Sequence, residues 1–186
     1  MNLLYVVILS LGLALYLFSS ILKVGATQPT MSRKKMIGIE IIYSITQIVL
    51  VGIGILISYL IEAYFSIESV TKVTRVIVIA LLCVIVYRLL KEALRGKSFL
   101  ETRADALTGK GSILLALQSS FEAIVVGVCV FEMNQNAMMD LITVIVATLL
   151  ASLFGFWYGY FYGTKGNRGI MVSSAMLLAV SAVILL

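Results

Sequence analysis

Six stretches of this chain are long and apolar enough to cross a lipid bilayer, and that fixes more about its fold than any motif does. A helix needs about 20 mostly apolar residues to span the hydrocarbon core. Residues 1–22, 36–61, 73–94, 112–131, 141–162 and 169–186 qualify. The first, fifth and sixth carry no charge, the second carries only Glu40, and the fourth carries only Glu122. The third is clean over 76–87 and charged toward its end. Hydrophobic residues make up 61% of the 186 and charged residues only 12%, against roughly a quarter in an ordinary soluble domain. So much apolar surface has no place in a soluble fold of this size. One Pro and 14 Gly fit helices better than a barrel. The expected fold is all-α: a polytopic membrane protein with six transmembrane helices and short loops in a single domain over 1–186. The first span lacks a basic leader and reads as a retained helix.

The same composition excludes other classes. There is no His, and the two Cys, Cys83 and Cys129, stand alone, which argues against a zinc site or a disulfide framework. No phosphate-binding loop, nucleophile elbow or metalloprotease motif occurs, so no enzyme and no resident cofactor is expected. The net charge of +5 is explained by loop topology and calls for no nucleic acid. Lys23, Arg33, Lys34 and Lys35 follow span 1. Arg88, Lys91, Arg95, Lys97, Arg103 and Lys110 end span 3 and fill its loop, and Lys165 and Arg168 follow span 5. The opposite side is poor in base. The positive-inside rule puts these three basic loops in the cytoplasm and both termini outside a cell membrane. Six spans with both ends on one side divide as three plus three, 1–95 and 112–186. Such halves must be inverted relative to each other, an arrangement found in transporters with midplane sites. Ser19-Ser20 and Ser119-Ser120 are the main internal echo.

Glu122 is the most informative residue. A carboxylate at bilayer depth costs about 3 kcal/mol even on lenient insertion scales, so it must face protein or water. Gln118 and Ser119 precede it by four and three residues and share its helical face, with Ser120 adjacent. Such oxygen and amide groups suit a hard divalent cation or a proton. The alternative is a protonated Glu bonded to a neighbouring helix. Span 2 carries Glu40, Tyr43, Ser44 and Gln47 on one side with Thr46 beside them. Gln47 and Thr46 lie deeper and serve either as ion ligands or as interhelical glue. Glu40 reads as an interfacial residue paired with a loop lysine. In span 1, Gly12, Tyr16, Ser19 and Lys23 share a face, and the Tyr16 phenol could donate to Glu122 if spans 1 and 4 cross. Arg88 and Glu92 read as an i, i+4 pair in a cytoplasmic anchor. Gly155, Gly159 and Gly163 repeat the spacing that lets helices pack closely.

These residues resemble the MntP-type manganese efflux proteins, within the LysE-like transporter group. The matching segments are 11–27, 88–96, 120–123 and 126–128, together with the span 5 glycines. The resemblance implies six helices in inverted three-helix repeats and export of Mn²⁺ as cargo by alternating access. It also marks departures. Tyr16 and Tyr43 stand where the family holds acids, Gln47 where it holds Pro, and Glu122 where it holds Asp. The resemblance thus predicts Glu122 as pivotal ligand, Gln118, Ser119, Ser120, Thr46 and Gln47 as secondary ligands, and Tyr16, Tyr43 and Ser19 as orienting or lining groups. The bilayer and a metal ion are the expected partners, with homo-oligomerisation open. A transport-inactive scaffold on the same fold, or a carrier of another small solute, is the competing expectation.

Overall fold

The computed structural model describes residues 2–26, 33–64, 67–95, 117, 122–131 and 137–185. Among them it is all-helical. The helices are α1 (Asn2–Ala26), α2 (Arg33–Tyr64), α3 (Ile67–Arg95), α4 (Glu122–Phe131), α5 (Ala137–Tyr162) and α6 (Asn167–Leu185). Four of these, α1, α2, α5 and α6, contain stretches long and apolar enough to cross a membrane. The helix α3 is long as well, but charges at both of its ends dilute its apolar run. Only ten residues of α4 are described. Of the six expected spans, four are therefore directly visible as long apolar helices.

The first helix is the hub. Of its apolar stretch 61% is buried, against 28–39% for α2, α5 and α6. It packs chiefly on α5 and α6. The α1–α5 pair is parallel, because Gly155 meets Phe18 and Gly159 meets Leu22. A Cβ at Gly159 would collide with the Leu22 carbonyl oxygen, and one at Gly25 would lie 2.5 Å from the Phe156 carbonyl oxygen. The backbones are thus in near contact, as small residues in membrane helices permit. The α1–α6 pair is antiparallel, since Gly12 faces Leu178 while Ser19 bonds Asn167. Ser174 adds a 2.8 Å hydrogen bond to the Gly12 carbonyl.

A second glycine contact joins α2 to α4. Cβ atoms at Gly54 and Gly127 would collide with the Ile124 and Val51 carbonyl oxygens respectively. Four or five residues further along both helices, Tyr59 and Phe131 stack edge to face at 6.4 Å. The order is the same in both chains, so α2 and α4 run parallel. Outward faces are apolar, with Ile41, Ile45, Val49, Leu56 and Leu60 exposed on α2 and Phe154, Trp157 and Phe161 on α5. That is the surface a bilayer solvates.

Gly163 corrects the expectation drawn from spacing. It lies beyond the last residue of α5 at φ 65°, with open space around it. Its N–H bonds the Gly159 carbonyl at 2.9 Å, the pattern of a left-handed helix cap. Gly163 ends the helix, while Gly155 and Gly159 do the packing.

Polar side chains within the helices mostly turn back on their own backbone. Ser10, Thr46, Thr148, Ser152 and Ser181 each donate to a carbonyl three or four residues earlier. Without water this is the nearest partner a hydroxyl has.

The glycine contacts set a test. Gly159→Leu must push two backbones apart, which costs about 3 kcal/mol at the upper end of overpacking effects. The melting midpoint in detergent should fall sharply. Gly52→Ala, at a glycine with nothing within 4 Å, should leave it unchanged or slightly raised. Equal midpoints for the two variants would contradict the assigned packing.

Candidate functional site

Glu122 is the first described residue of α4 and is 2% exposed. Its Oε1 lies 3.3 Å from an Arg88 guanidinium nitrogen on α3. The Tyr16 phenol on α1 is near enough to act electrostatically on the same carboxylate, and Ser20 follows it one turn further along α1. Among the described residues Oε2 has no hydrogen-bond partner. The crossing of spans 1 and 4 that the tyrosine's role required is therefore present. A third helix, α3, supplies the counter-ion.

One turn beyond Arg88, Glu92 accepts a 2.5 Å hydrogen bond from the Lys23 ammonium on α1. Glu92 is also near enough to act electrostatically on both Tyr16 and Glu122. Two carboxylates and two cations thus form one electrically neutral cluster joining α1, α3 and α4. This corrects the view of Arg88 and Glu92 as an intrahelical pair in an anchor. Each reaches across to another helix. Along α3, residues four apart share a face, so the pair points at the bundle as a unit.

Gln47 lies at nearly the height of Glu122. Counting back along the parallel α2 and α4 from the Gly54–Gly127 contact, Gln47 is seven residues away and Glu122 five. At 1.5 Å per residue their heights differ by about 3 Å. Gln47 is 2% exposed, and among the described residues neither its Nε2 nor its Oε1 has a hydrogen-bond partner. An amide side chain cannot turn back on its own helix as a hydroxyl does. Tyr43, one turn from Gln47, is buried in a cluster with Leu17, Ile21 and Val24 of α1 and Phe156 of α5.

Ser19, Thr46 and Glu40 have contacts of their own. Ser19 is fully buried and donates to Asn167 Oδ1 at 2.6 Å. It is a joint between α1 and α6 and does not line the site, because its hydroxyl proton is committed there. Thr46 is half-buried and donates to the Ile42 carbonyl at 2.7 Å. Glu40 is also half-buried, with its Oε1 3.5 Å from the Ser152 hydroxyl oxygen of α5. Gln118, Ser119 and Ser120 fall outside the described residues. Asn167 was not anticipated, nor was the Arg88–Glu122 pair. Asn167, Ser174 and Ser181 are seven apart and all buried, a polar stripe in an otherwise apolar span that could have marked the inner face of α6.

Among the described residues no three or more His, Cys, Asp or Glu side chains come together. What the junction offers is one buried carboxylate with a spare oxygen, one unpartnered amide, a phenol and a neighbouring cation. Residues 30–185 match the protein family MntP, described as "Putative manganese efflux pump". The chain belongs to the MntP family. The matched region holds Gln47, Arg88 and Glu122 but begins after the span that carries Tyr16. No curated protein and no solved structure matches the chain. That description fits a chain with several helices long and apolar enough to cross a membrane.

Gln47 gives the site a signature in stability. Two buried polar atoms without partners cost about 1–3 kcal/mol each. Gln47→Met keeps the volume and removes both, so it should raise the melting midpoint, by an amount worth about 1–2 kcal/mol after packing differences. A lowered midpoint would mean that Gln47 has a partner and is part of the structural glue.

Proposed function

We propose that this MntP-family protein exports a divalent cation, with Mn²⁺ as cargo, and that Glu122 is its pivotal ligand. The observation that carries the reading is the buried carboxylate with an unpartnered oxygen at the level of an unpartnered buried amide. A hard divalent ion takes oxygen ligands. Glu122 supplies a charged one, Gln47 its amide oxygen, and Tyr16 holds the carboxylate from α1. Gln118, Ser119, Ser120 and Thr46 are secondary ligands in this reading. Leaving polar atoms unsatisfied in a dry interior is costly, and a visiting ion gives them a partner.

The chain spans a cell membrane six times, with α3 and the segment containing α4 as the remaining spans. Both termini lie outside the cytoplasm. Its halves are inverted three-helix repeats, 1–95 and 112–186. Exchanging α1 with α4 and α2 with α5 maps the α1–α5 pair onto the α4–α2 pair. Both pairs are parallel and both close on glycine backbones, which supports the repeat. Transport proceeds by one unit rocking against the other about a site between them.

A second reading has one observation in its favour. The cluster around Glu122 is already neutral, with Arg88 in the counter-ion position. A transport-inactive relative serving as a scaffold would need no more. Saturable binding of Mn²⁺, Mg²⁺ or Ca²⁺ in detergent separates the two, because a scaffold would show none.

The direct test is Glu122→Gln in proteoliposomes. It keeps shape and hydrogen bonding while removing the charge. We expect Mn²⁺ flux to fall to the level of empty vesicles while helix content and elution volume stay those of the wild type. Gln47→Met should slow flux without abolishing it. Wild-type flux in Glu122→Gln would remove the site.

A further inference from the structure

We propose that Arg88 is the resident counter-cation of the Glu122 site, so that a cargo ion must displace it, and that this competition sets the site's preference for cations of more than one charge. The inference rests on the export reading above. It starts from an asymmetry in the pair: Glu122 is 2% exposed, whereas the Arg88 side chain is 48% exposed. The carboxylate is fixed in the bundle, and the guanidinium comes to it from an open flank. At 3.3 Å through one nitrogen the contact is not the two-pronged clamp that arginine and carboxylate form when locked. Only Oε1 is engaged, and Oε2 has no partner.

Arg88 has somewhere to go. Half of its side chain already lies outside the packed interior. Glu92, one turn along the same helix and 43% exposed, offers a second carboxylate on that flank. Lys23 holds Glu92, so the cluster stays joined to α1 while Arg88 moves. Tyr16 of α1 stays within electrostatic reach of Glu122.

The selectivity follows from charge. Coulomb attraction scales with the product of charges at a given distance. A monovalent ion replacing the guanidinium gains no attraction and must still shed water. A divalent ion doubles the attraction to Glu122 and can engage the idle Oε2. The abundant monovalent cations are thereby excluded without a size filter. The tether also lowers apparent affinity, because the site is open only while Arg88 is away. If Arg88 is in place nine-tenths of the time, affinity falls about tenfold, which favours release of cargo.

The experiment is Mn²⁺ titration of the full chain in detergent at constant ionic strength, with choline chloride exchanged stepwise for potassium chloride. The wild type should bind Mn²⁺ with an affinity that potassium does not change. Arg88→Gln should bind about tenfold tighter and lose that gain as potassium rises. Arg88→Lys keeps the charge and protects the fold. Its ammonium is more strongly hydrated and leaves the carboxylate more readily, so its affinity should fall between the other two. Wild-type binding with Arg88→Gln equal or weaker overturns the proposal while leaving export standing. If Arg88→Gln does not fold, Arg88→Lys binding no tighter than wild type overturns it equally. Absence of Mn²⁺ binding in wild type and variants alike overturns the export reading and this inference with it.

Discussion

A charged carboxylate in a dry helix bundle is tolerated only if something nearby carries the opposite sign, and here that something is Arg88. Continuum arguments make such buried pairs poor sources of stability, since the desolvation cost rivals the attraction. The Glu122 contact at 3.3 Å is therefore better understood as a constraint than as a brace. It obliges α3 and α4 to meet at one height. Through Glu92 and Lys23 it obliges α1 to meet them there too. The meeting of these three helices at one level is what satisfying that one acid requires.

The packing that holds this junction is of another kind. No hydrophobic drive joins helices within lipid, so backbone approach and a few polar contacts must do it. Gly25, Gly155 and Gly159 bring α1 and α5 together, and Gly54 and Gly127 bring α2 and α4 together. Ser19, Asn167 and Ser174 tie α1 to α6. The rigid part of the molecule is thus made of apolar contacts and neutral hydrogen bonds. The charged cluster sits beside it on the more exposed flank of α3. Such a division lets the cluster rearrange without disturbing the tightest contacts.

Much of this was legible in the sequence, and the limits have physical causes. Apolar run length gave the helices because a bilayer leaves few other solutions. Glu122 stood out because a single acid in a span is costly, while a role for Tyr16 beside it was open, since span crossings are not written in a sequence. The pairing of Arg88 was missed because a local partner, Glu92, was available at helical spacing, and sequence cannot show that Lys23 takes it instead. Gly163 was misjudged because periodicity does not reveal a positive φ. Ser19 looked like a lining residue since a helical face tells which residues share a side and not which helix that side meets. Gln47 was an even choice between glue and ligand. The structure leaves both its polar atoms without partners, which tilts that choice.

The account turns on whether cargo reaches Glu122 and takes the place that Arg88 now holds. Anomalous diffraction at the manganese edge from crystals grown with Mn²⁺ asks this most directly. The account predicts a peak against the Glu122 carboxylate, close to Gln47, with the Arg88 guanidinium withdrawn. A peak elsewhere in the bundle, or none while Arg88 remains on Glu122, would contradict it.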